Sequence, residues 1–233
     1  MNYFVTGTST DVGKTIITTL LTDFLSLNDR LVFPYKPIQT GAKSINGSLI
    51  APDTEVYKRL KDLPHSDKFY TYLFKTPSSP HLAAKKENVV INLANIQKTI
   101  KSIQKENDSI VVEGAGGLYV PITDEGYCML DLIKELSFPV ILVADAGLGT
   151  INHSVLTIKT LKAFDIRIIG VIINRTNQEN RVLELDNMKM IERLTNVPIV
   201  GTVPYEENIE NKLQEKRFRM KLTKDWNRKR IEY

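Results

Sequence analysis

Short, uninterrupted apolar runs alternate along the chain with longer segments whose apolar residues recur at helical spacing. The runs cover residues 3–5, 30–37, 109–112, 139–144, 167–173 and 199–204, and the helical segments cover residues 16–24, 93–104, 130–136, 152–164 and 183–194. Runs without apolar–polar alternation are typical of strands that are buried on both faces. Strands that alternate with helices predict an α/β fold, in which helices cover both faces of one mostly parallel sheet and right-handed crossovers join the strands.

Two stretches interrupt this alternation. Pro34 lies inside the second run, where it argues against a central strand paired on both sides or marks an irregular stretch. Residues 39–52 are rich in Gly, Ser, Asn and Thr, so they are predicted to form a loop. Asp53 follows this loop, and a helix N-cap is one interpretation of its position.

Residues 8–15 connect the first predicted strand to the first predicted helix and end in Gly-Lys-Thr. This is the context that a phosphate-binding loop requires, which disfavours a chance match at an ordinary helix start. Backbone N–H groups and the helix dipole attract phosphate there. Gly13 lets the backbone approach a phosphate, Lys14 reaches the outer phosphates, and the Thr15 hydroxyl can ligate magnesium. The preceding glycine is Gly7, one position earlier than in the standard pattern, so the loop is longer or differently shaped.

Charged residues stand at the carboxyl ends of several predicted strands, where open α/β sheets bind ligands. Lys36 ends the second strand, and an exposed structural lysine is the alternative interpretation. Glu113 ends a buried strand, where a carboxylate is costly unless it is paired or bound to a metal. The second acidic magnesium ligand of phosphate-loop enzymes lies at such a strand end. Asp145 also ends a strand and is the competing candidate.

The composition is ordinary for a soluble globular protein, with 42% apolar and 25% charged residues. No apolar run approaches the roughly 20 residues needed to span a bilayer, and the first residues do not resemble a secretory signal. Cys128 is the lone cysteine, which suits a reducing compartment. These features predict a cytoplasmic protein without a membrane partner.

The net charge of +4 comes from one end of the chain. Residues 212–233 contain nine Lys or Arg and three acidic residues, so the rest of the chain is slightly acidic. The body therefore offers no electrostatic case for nucleic acid. We divide the chain into a domain of residues 1–211 and a basic tail of residues 212–233. A solvated or frayed terminus is the favoured interpretation of the tail, with a nucleic-acid patch as the alternative.

Taken together, these motifs resemble those of the dethiobiotin synthetase family, whose fold is a single-domain P-loop NTPase type. The resemblance rests on FVTGTSTDVGKT at 4–15, YKP at 35–37, PSSPH at 77–81, VEGAGG at 112–117, PVILV at 139–143 and GTINH at 149–153. The motifs occur in family order, and the family places its loop glycine where Gly7 stands here. One departure is Asn187, at a position where some members carry a tyrosine near the substrate carboxylate. The basic tail is a second departure.

The resemblance implies a homodimeric, magnesium-dependent ligase of biotin biosynthesis. Such an enzyme closes the ureido ring of dethiobiotin from 7,8-diaminopelargonate (7,8-diaminononanoate), carbon dioxide and ATP, and releases ADP and phosphate. One amine takes up carbon dioxide as a carbamate, ATP phosphorylates it to a carbamic–phosphoric mixed anhydride, and the second amine attacks. Positioning and charge neutralisation account for most of the catalysis of phosphoryl transfer.

The resemblance also implies a role for individual residues. It implies that Lys14 and Lys36 are catalytic and that Thr15, Asp53 and Glu113 bind magnesium. Substrate contacts fall to Thr10, Lys36 and Thr40, and to Gly149, Thr150 and Asn152, which would reach across the dimer to the substrate carboxylate. The ATP site would comprise Asp11, Val12, Gly13, Lys14, Thr15, Ile16, Asp53, Glu113, Gly114, Ala115, Gly116, Asn174, Arg175, Pro204, Tyr205 and Glu206.

Two other functions share the same loop and sheet. One is an ATP-dependent amidoligase domain of cobalamin synthesis. The other is a partition- or positioning-type switch ATPase, whose basic tail would touch DNA or membrane. The switch ATPases usually carry a lysine early in the loop, where this chain has Thr8 and Ser9.

Overall fold

A central sheet of six parallel strands organises the part of the chain that this computed structural model describes, residues 1–27, 30–60, 63 and 68–232. The strands are β1 Tyr3–Gly7, β2 Val32–Tyr35, β3 Ile38–Gln39, β4 Lys43–Ile45, β5 Ser48–Ile50, β6 Tyr72–Leu73, β7 Ser109–Glu113, β8 Val140–Asp145, β9 Ile168–Thr176 and β10 Ile199–Pro204. The central sheet has the order β10-β9-β8-β1-β7-β2. Strand β1, which feeds the phosphate-binding loop, therefore lies between β7 and β8.

The helices fall between these strands and after the last one. They are α1 Lys14–Leu25, α2 Pro52–Tyr57, α3 Pro80–Lys86, α4 Leu93–Glu106, α5 Met129–Leu136, α6 Thr150–Ala163, α7 Arg181–Thr195, α8 Ile209–Lys212, α9 Lys216–Thr223 and α10 Arg228–Glu232, with a 3-10 turn at Gln178–Asn180. Within the described ranges, no helix is long and apolar enough to cross a bilayer.

Successive side chains of the strands enter two different cores. Phe4 of β1 packs in a core that includes Ile96 of α4 and Leu132 of α5. Its neighbour Val5 packs on the opposite face with Leu20 of α1. Helices thus cover both faces of the parallel sheet, as continuous apolar strands require, and the predicted α/β P-loop type of fold is confirmed.

The two irregular stretches near the second strand have different outcomes. Strand β2 is an edge strand that pairs with β7, which agrees with the proline at position 34. The predicted loop at 39–52 is wrong in part, because β4 and β5 form an antiparallel hairpin there. Asn46 and Gly47 occupy its turn with φ values of 49° and 80°. An Asn-Gly pair with positive φ at both positions is the usual two-residue hairpin turn, so the signal was present in the sequence.

The prediction of a solvated or frayed tail is wrong for residues 212–232, which we call the C-terminal segment. Residue 233 lies outside the described residues. Leu222, Trp226 and Ile231 are buried in the same core as α1. The Tyr3 hydroxyl donates a hydrogen bond to the carbonyl of Ile231 at 2.9 Å, and buried Arg219 donates to the Asp23 carboxylate at 2.7 Å. The physical reason is that the sheet face at β9 and β10 is apolar and must be covered.

Candidate active site

The loop between β1 and α1 has a backbone that particular residues impose. Gly13 has a φ of 93°, and a Cβ atom there would collide with the side-chain amide of Asn174. A Cβ atom at Gly7 would lie 2.7 Å from the side chain of Val12. Both glycines are therefore needed for steric reasons. Lys14 folds over the loop and its Nζ donates to the carbonyl of Ser9 at 2.8 Å.

Glu113 faces this loop from the end of the neighbouring strand β7. Its side chain is buried, with 1% of the residue exposed. Its Oε1 accepts hydrogen bonds from the Thr15 hydroxyl at 2.9 Å and from Lys36 Nζ at 2.8 Å. Its Oε2 accepts a hydrogen bond from the Tyr57 hydroxyl. The cost of burying this carboxylate is thus offset by three donors.

Lys36, just beyond β2, bridges two carboxylates. Its Nζ forms ion pairs with Glu113 and with Asp53, which lies in the first turn of α2. Ala51 occupies the N-cap of that helix, so the capping interpretation of Asp53 is wrong. Burial on its own would lower the pKa of Lys36, but the Glu113 and Asp53 carboxylates outweigh it and raise the pKa. Lys36 therefore remains an ammonium group.

The second lysine behaves in the opposite way. The pKa of Lys14 is lowered to about 8, mainly by burial, and the nearby Lys36 cation acts in the same direction. Glu113 opposes this shift without cancelling it. An ammonium group that is poorly solvated and close to another cation is suited to receive an anion such as phosphate.

The donor set is suited to a hard divalent cation. Thr15, Asp53 and Glu113 supply a hydroxyl and two carboxylates, the oxygen ligands that Mg²⁺ prefers. The ammonium group of Lys36 already lies between the two carboxylates, which shows that a cation is stabilised at this position. These residues therefore fit a magnesium ion by their chemistry.

A cavity of about 580 Å³ opens in front of the loop. Seventeen of the residues proposed from the sequence line it, so the structure brings together most of the predicted site. They are Thr10, Asp11, Gly13, Lys14, Thr15, Ile16, Lys36, Thr40, Asp53, Glu113, Ala115, Gly116, Asn174, Arg175, Pro204, Tyr205 and Glu206.

Other predicted residues lie outside this cavity. Val12 is buried, and its carbonyl accepts a hydrogen bond from Asn174 Nδ2 at 2.9 Å. A Cβ atom at Gly114 would lie 3.0 Å from Phe4, so this glycine contributes close packing beneath the site. Gly149, Thr150 and Asn152 stand where β8 leads into α6, away from the cavity lining.

Asn187, the departure on α7, is buried. Its Nδ2 donates to the carbonyl of Ala146 at 3.1 Å. Asn187 therefore supports the loop that leads to Gly149.

Sequence reasoning missed several residues of the site. Tyr57 has the clearest retrospective signal, because it follows Asp53 by four positions and the two therefore share one helix face. Gln39, unlike the buried Tyr57, lines the cavity itself, and its Oε1 accepts a hydrogen bond from the Asp53 N–H at 3.3 Å. Ile38, Pro52, Ile209 and Glu210 complete the lining.

The two acidic strand ends have different surroundings. Asp145 is partly exposed and pairs with Arg175 at 3.2 Å. Its other oxygen accepts a hydrogen bond from the Gly147 N–H at 3.1 Å. Glu113, rather than Asp145, thus contacts Thr15 of the phosphate-binding loop.

Some known proteins are similar to this chain in sequence, and others are similar to it only in fold. A family model described as an AAA domain matches residues 1–213. The chain is 42% identical over 230 residues to the ATP-dependent dethiobiotin synthetase BioD of Halalkalibacterium halodurans, covering 99% of this chain and 95% of that protein. It is 42% identical over 209 residues to the same synthetase of Anoxybacillus flavithermus, covering 90% of this chain and 94% of that protein.

Solved structures with a similar fold are much more distant in sequence. A ParA family ATPase from Chlorobium tepidum TLS has a TM-score of 0.56 and 16% identity, covering 99% of this chain and 96% of that chain. A MinC:MinD cell division protein complex from Aquifex aeolicus has a TM-score of 0.57 and 17% identity, covering 92% and 86%. At these identities the likeness concerns the fold.

Proposed function

The chain belongs to the AAA domain family and, within it, to the ATP-dependent dethiobiotin synthetases, and from this premise we propose how its residues close the ureido ring. The substrates are 7,8-diaminopelargonate, carbon dioxide and ATP. The observation that carries the proposal is the convergence in one cavity of Lys14, Lys36, Asp53 and Glu113 around the start of α1. This cluster is suited to a reaction in which negative charge moves between phosphate and carbamate oxygens.

The chemistry proceeds in three balanced steps. One amine of the diamine attacks carbon dioxide, a C–N bond forms, and the amine loses a proton to give a carbamate. A carbamate oxygen attacks the terminal phosphorus of ATP, and the bond from that phosphorus to the bridging oxygen breaks to release ADP. The second amine attacks the carbonyl carbon of the mixed anhydride and loses a proton, and phosphate leaves as the ring closes.

In this proposal the two lysines bind different anionic groups. Lys14 binds the outer phosphates, because it lies on the loop whose N–H groups attract them. Lys36 binds the carbamate and then the phosphoryl group as it moves, since its ammonium group stays protonated beside Glu113. Thr15, Asp53 and Glu113 would hold Mg²⁺, which when bound neutralises negative charge on the phosphates.

Asn174 is proposed to recognise the adenine. Its Nδ2 is engaged by the carbonyl of Val12 at 2.9 Å, so its Oδ1 is the atom left to accept a hydrogen bond from an amino group such as that on adenine. Arg175, Pro204, Tyr205 and Glu206 line the same side of the cavity and complete the proposed base site. The other proposed ATP contacts are Asp11, Val12, Gly13, Ile16, Gly114, Ala115 and Gly116.

We propose that the diamine lies between two copies of the chain in a cytoplasmic homodimer. Thr10 and Thr40 would contact it from the cavity, while Gly149, Thr150 and Asn152 of the partner would bind its carboxylate at the start of α6. Two features support this arrangement. The buried Thr150 hydroxyl has no hydrogen-bond partner among the described residues, and the neighbouring Leu148 is 88% exposed.

Phosphate release by the purified protein tests the proposal. With ATP and magnesium present, release should require both 7,8-diaminopelargonate and bicarbonate, and mass spectrometry should find dethiobiotin in equal amount. Omission of either substrate is the control. Release that DNA or lipid vesicles stimulate, and that ignores the diamine, would contradict the proposal and favour a switch ATPase.

A further inference from the structure

Tyr57 lies behind the site, where the proposed chemistry assigns it no role. It ends α2, four residues after Asp53, and is 0% exposed. Its hydroxyl donates a hydrogen bond to Oε2 of Glu113. The tyrosine therefore contacts a residue of the cavity from the protein interior.

The two oxygens of Glu113 have different surroundings. Oε1 accepts from the Thr15 hydroxyl at 2.9 Å and from Lys36 Nζ at 2.8 Å, and both donors line the cavity. Oε2 faces the buried tyrosine. The last torsion of a glutamate side chain is broad and roughly two-fold, so the carboxylate plane depends on its hydrogen-bond partners.

We propose that Tyr57 is a positioning residue that fixes the Glu113 carboxylate, so that Oε1 is presented to the divalent cation of the nucleotide complex. The inference rests on the proposed function, because it takes Glu113 to be a magnesium ligand. A donor that orients a metal-binding carboxylate from outside the metal's own ligands raises metal affinity, and its loss typically costs 10–100-fold.

The hydroxyl can be removed without removing the ring. The Tyr57 ring packs near Phe69 with centroids 6.3 Å apart, and phenylalanine at position 57 preserves that packing. Tyr35 offers a matched control. It is also 0% exposed, and its hydroxyl is hydrogen-bonded to Thr71 at 2.6 Å rather than to a residue of the site.

The test measures Mn²⁺ binding, by electron paramagnetic resonance, to the protein saturated with a non-hydrolysable ATP analogue. Tyr57→Phe should raise the Mn²⁺ dissociation constant about tenfold or more, while Tyr35→Phe should change it less than about twofold. The magnesium concentration for half-maximal phosphate release should rise in parallel, with the KM for the diamine unchanged. Equal effects of the two substitutions would overturn the inference.

A second measurement guards against a purely structural effect of Tyr57→Phe. In a Glu113→Gln background the same substitution should leave Mn²⁺ affinity unchanged, because the group that the hydroxyl orients no longer binds the metal as a carboxylate. An undiminished effect in that background would also overturn the inference. Mn²⁺ binding does not depend on the diamine, so it decides the role of Tyr57 even where diamine-dependent phosphate release fails.

Discussion

The cavity wall and the C-terminal segment are both rich in charge, but they place it differently. In the cavity wall the side chains of Lys36 and Glu113 are buried and form an ion pair with each other. In the C-terminal segment the charged side chains point mostly to solvent, and the buried side chains include Leu222, Trp226 and Ile231.

The contrast separates two uses of burial. Apolar burial in the C-terminal segment stabilises the fold, at about 25 cal/mol for each Å² removed from water. A buried ion pair such as that of Lys36 and Glu113 contributes little net stability, because desolvation opposes its attraction. Substitutions in the cavity should therefore reduce turnover, and substitutions in the C-terminal segment should reduce stability.

The largest expected effect comes from Glu113→Gln, which keeps the shape of the side chain and removes its charge. Turnover should fall about 10³-fold, the scale seen when one preorganised electrostatic group is lost, which is about 4 kcal/mol of transition-state stabilisation. Diamine-dependent phosphate release measures this loss. Asp145→Asn is the matched control, because Asp145 ends β8, the strand on the other side of β1, but is partly exposed.

Asp145→Asn should change turnover less than about threefold, in line with the small contribution of exposed ion pairs. Equal losses in the two variants would break the comparison, because they would show that any acidic strand end beside β1 serves the reaction.

Trp226→Ala should act on stability instead. Trp226 is 5% exposed, its ring lies 5.4 Å from that of Phe24, and a Cβ atom at Gly201 would come within 2.6 Å of it. Its loss should lower the free energy of unfolding by about 3–5 kcal/mol, measured by urea denaturation. Turnover at low temperature should stay within about twofold, because the cavity lining does not include the C-terminal segment.

Met220→Ala provides the control in the same C-terminal segment, in helix α9, which ends shortly before Trp226. Met220 is 54% exposed, so this substitution should change the unfolding free energy by less than about 0.5 kcal/mol. A Trp226→Ala protein as stable as Met220→Ala would mean that the C-terminal segment is dispensable to the core.

The same contrast explains which parts of the molecule could be predicted. The phosphate-binding loop is a local motif, so Gly13, Lys14 and Thr15 identify it without any distant contact. The proline at position 34 predicted an edge strand for a similarly local reason. The hydrogen bond between Tyr57 and Glu113 could not be predicted this way. The two residues are 56 positions apart, and their contact depends on how α2 packs against β7.

The C-terminal segment misled for the opposite reason. Phe218, Leu222 and Trp226 recur every four residues, which is helical spacing, but the surrounding lysines and arginines obscure it. Its burial depends on the sheet face at β9 and β10, a surface that no local pattern in the segment describes. The composition therefore predicted a solvated tail, whereas in the structure the segment covers an apolar face of the sheet.

The smallest effect concerns the two lysines of the cavity and is a matter of pH. Burial holds the pKa of Lys14 in the free protein at about 8, whereas the carboxylates raise that of Lys36. In the nucleotide-free protein Lys14 is mostly an ammonium group below pH 8 and mostly a neutral amine above pH 8. Bound phosphate raises the pKa again, so nucleotide binding near pH 9 should take up close to one proton, and affinity should weaken up to about tenfold per pH unit above 8. Calorimetry of ADP binding in buffers of different ionisation enthalpy measures this uptake, which Lys14→Met should abolish; a wild-type protein that takes up no proton between pH 7.5 and 9.5 would show that Lys14 is as well solvated as a surface lysine.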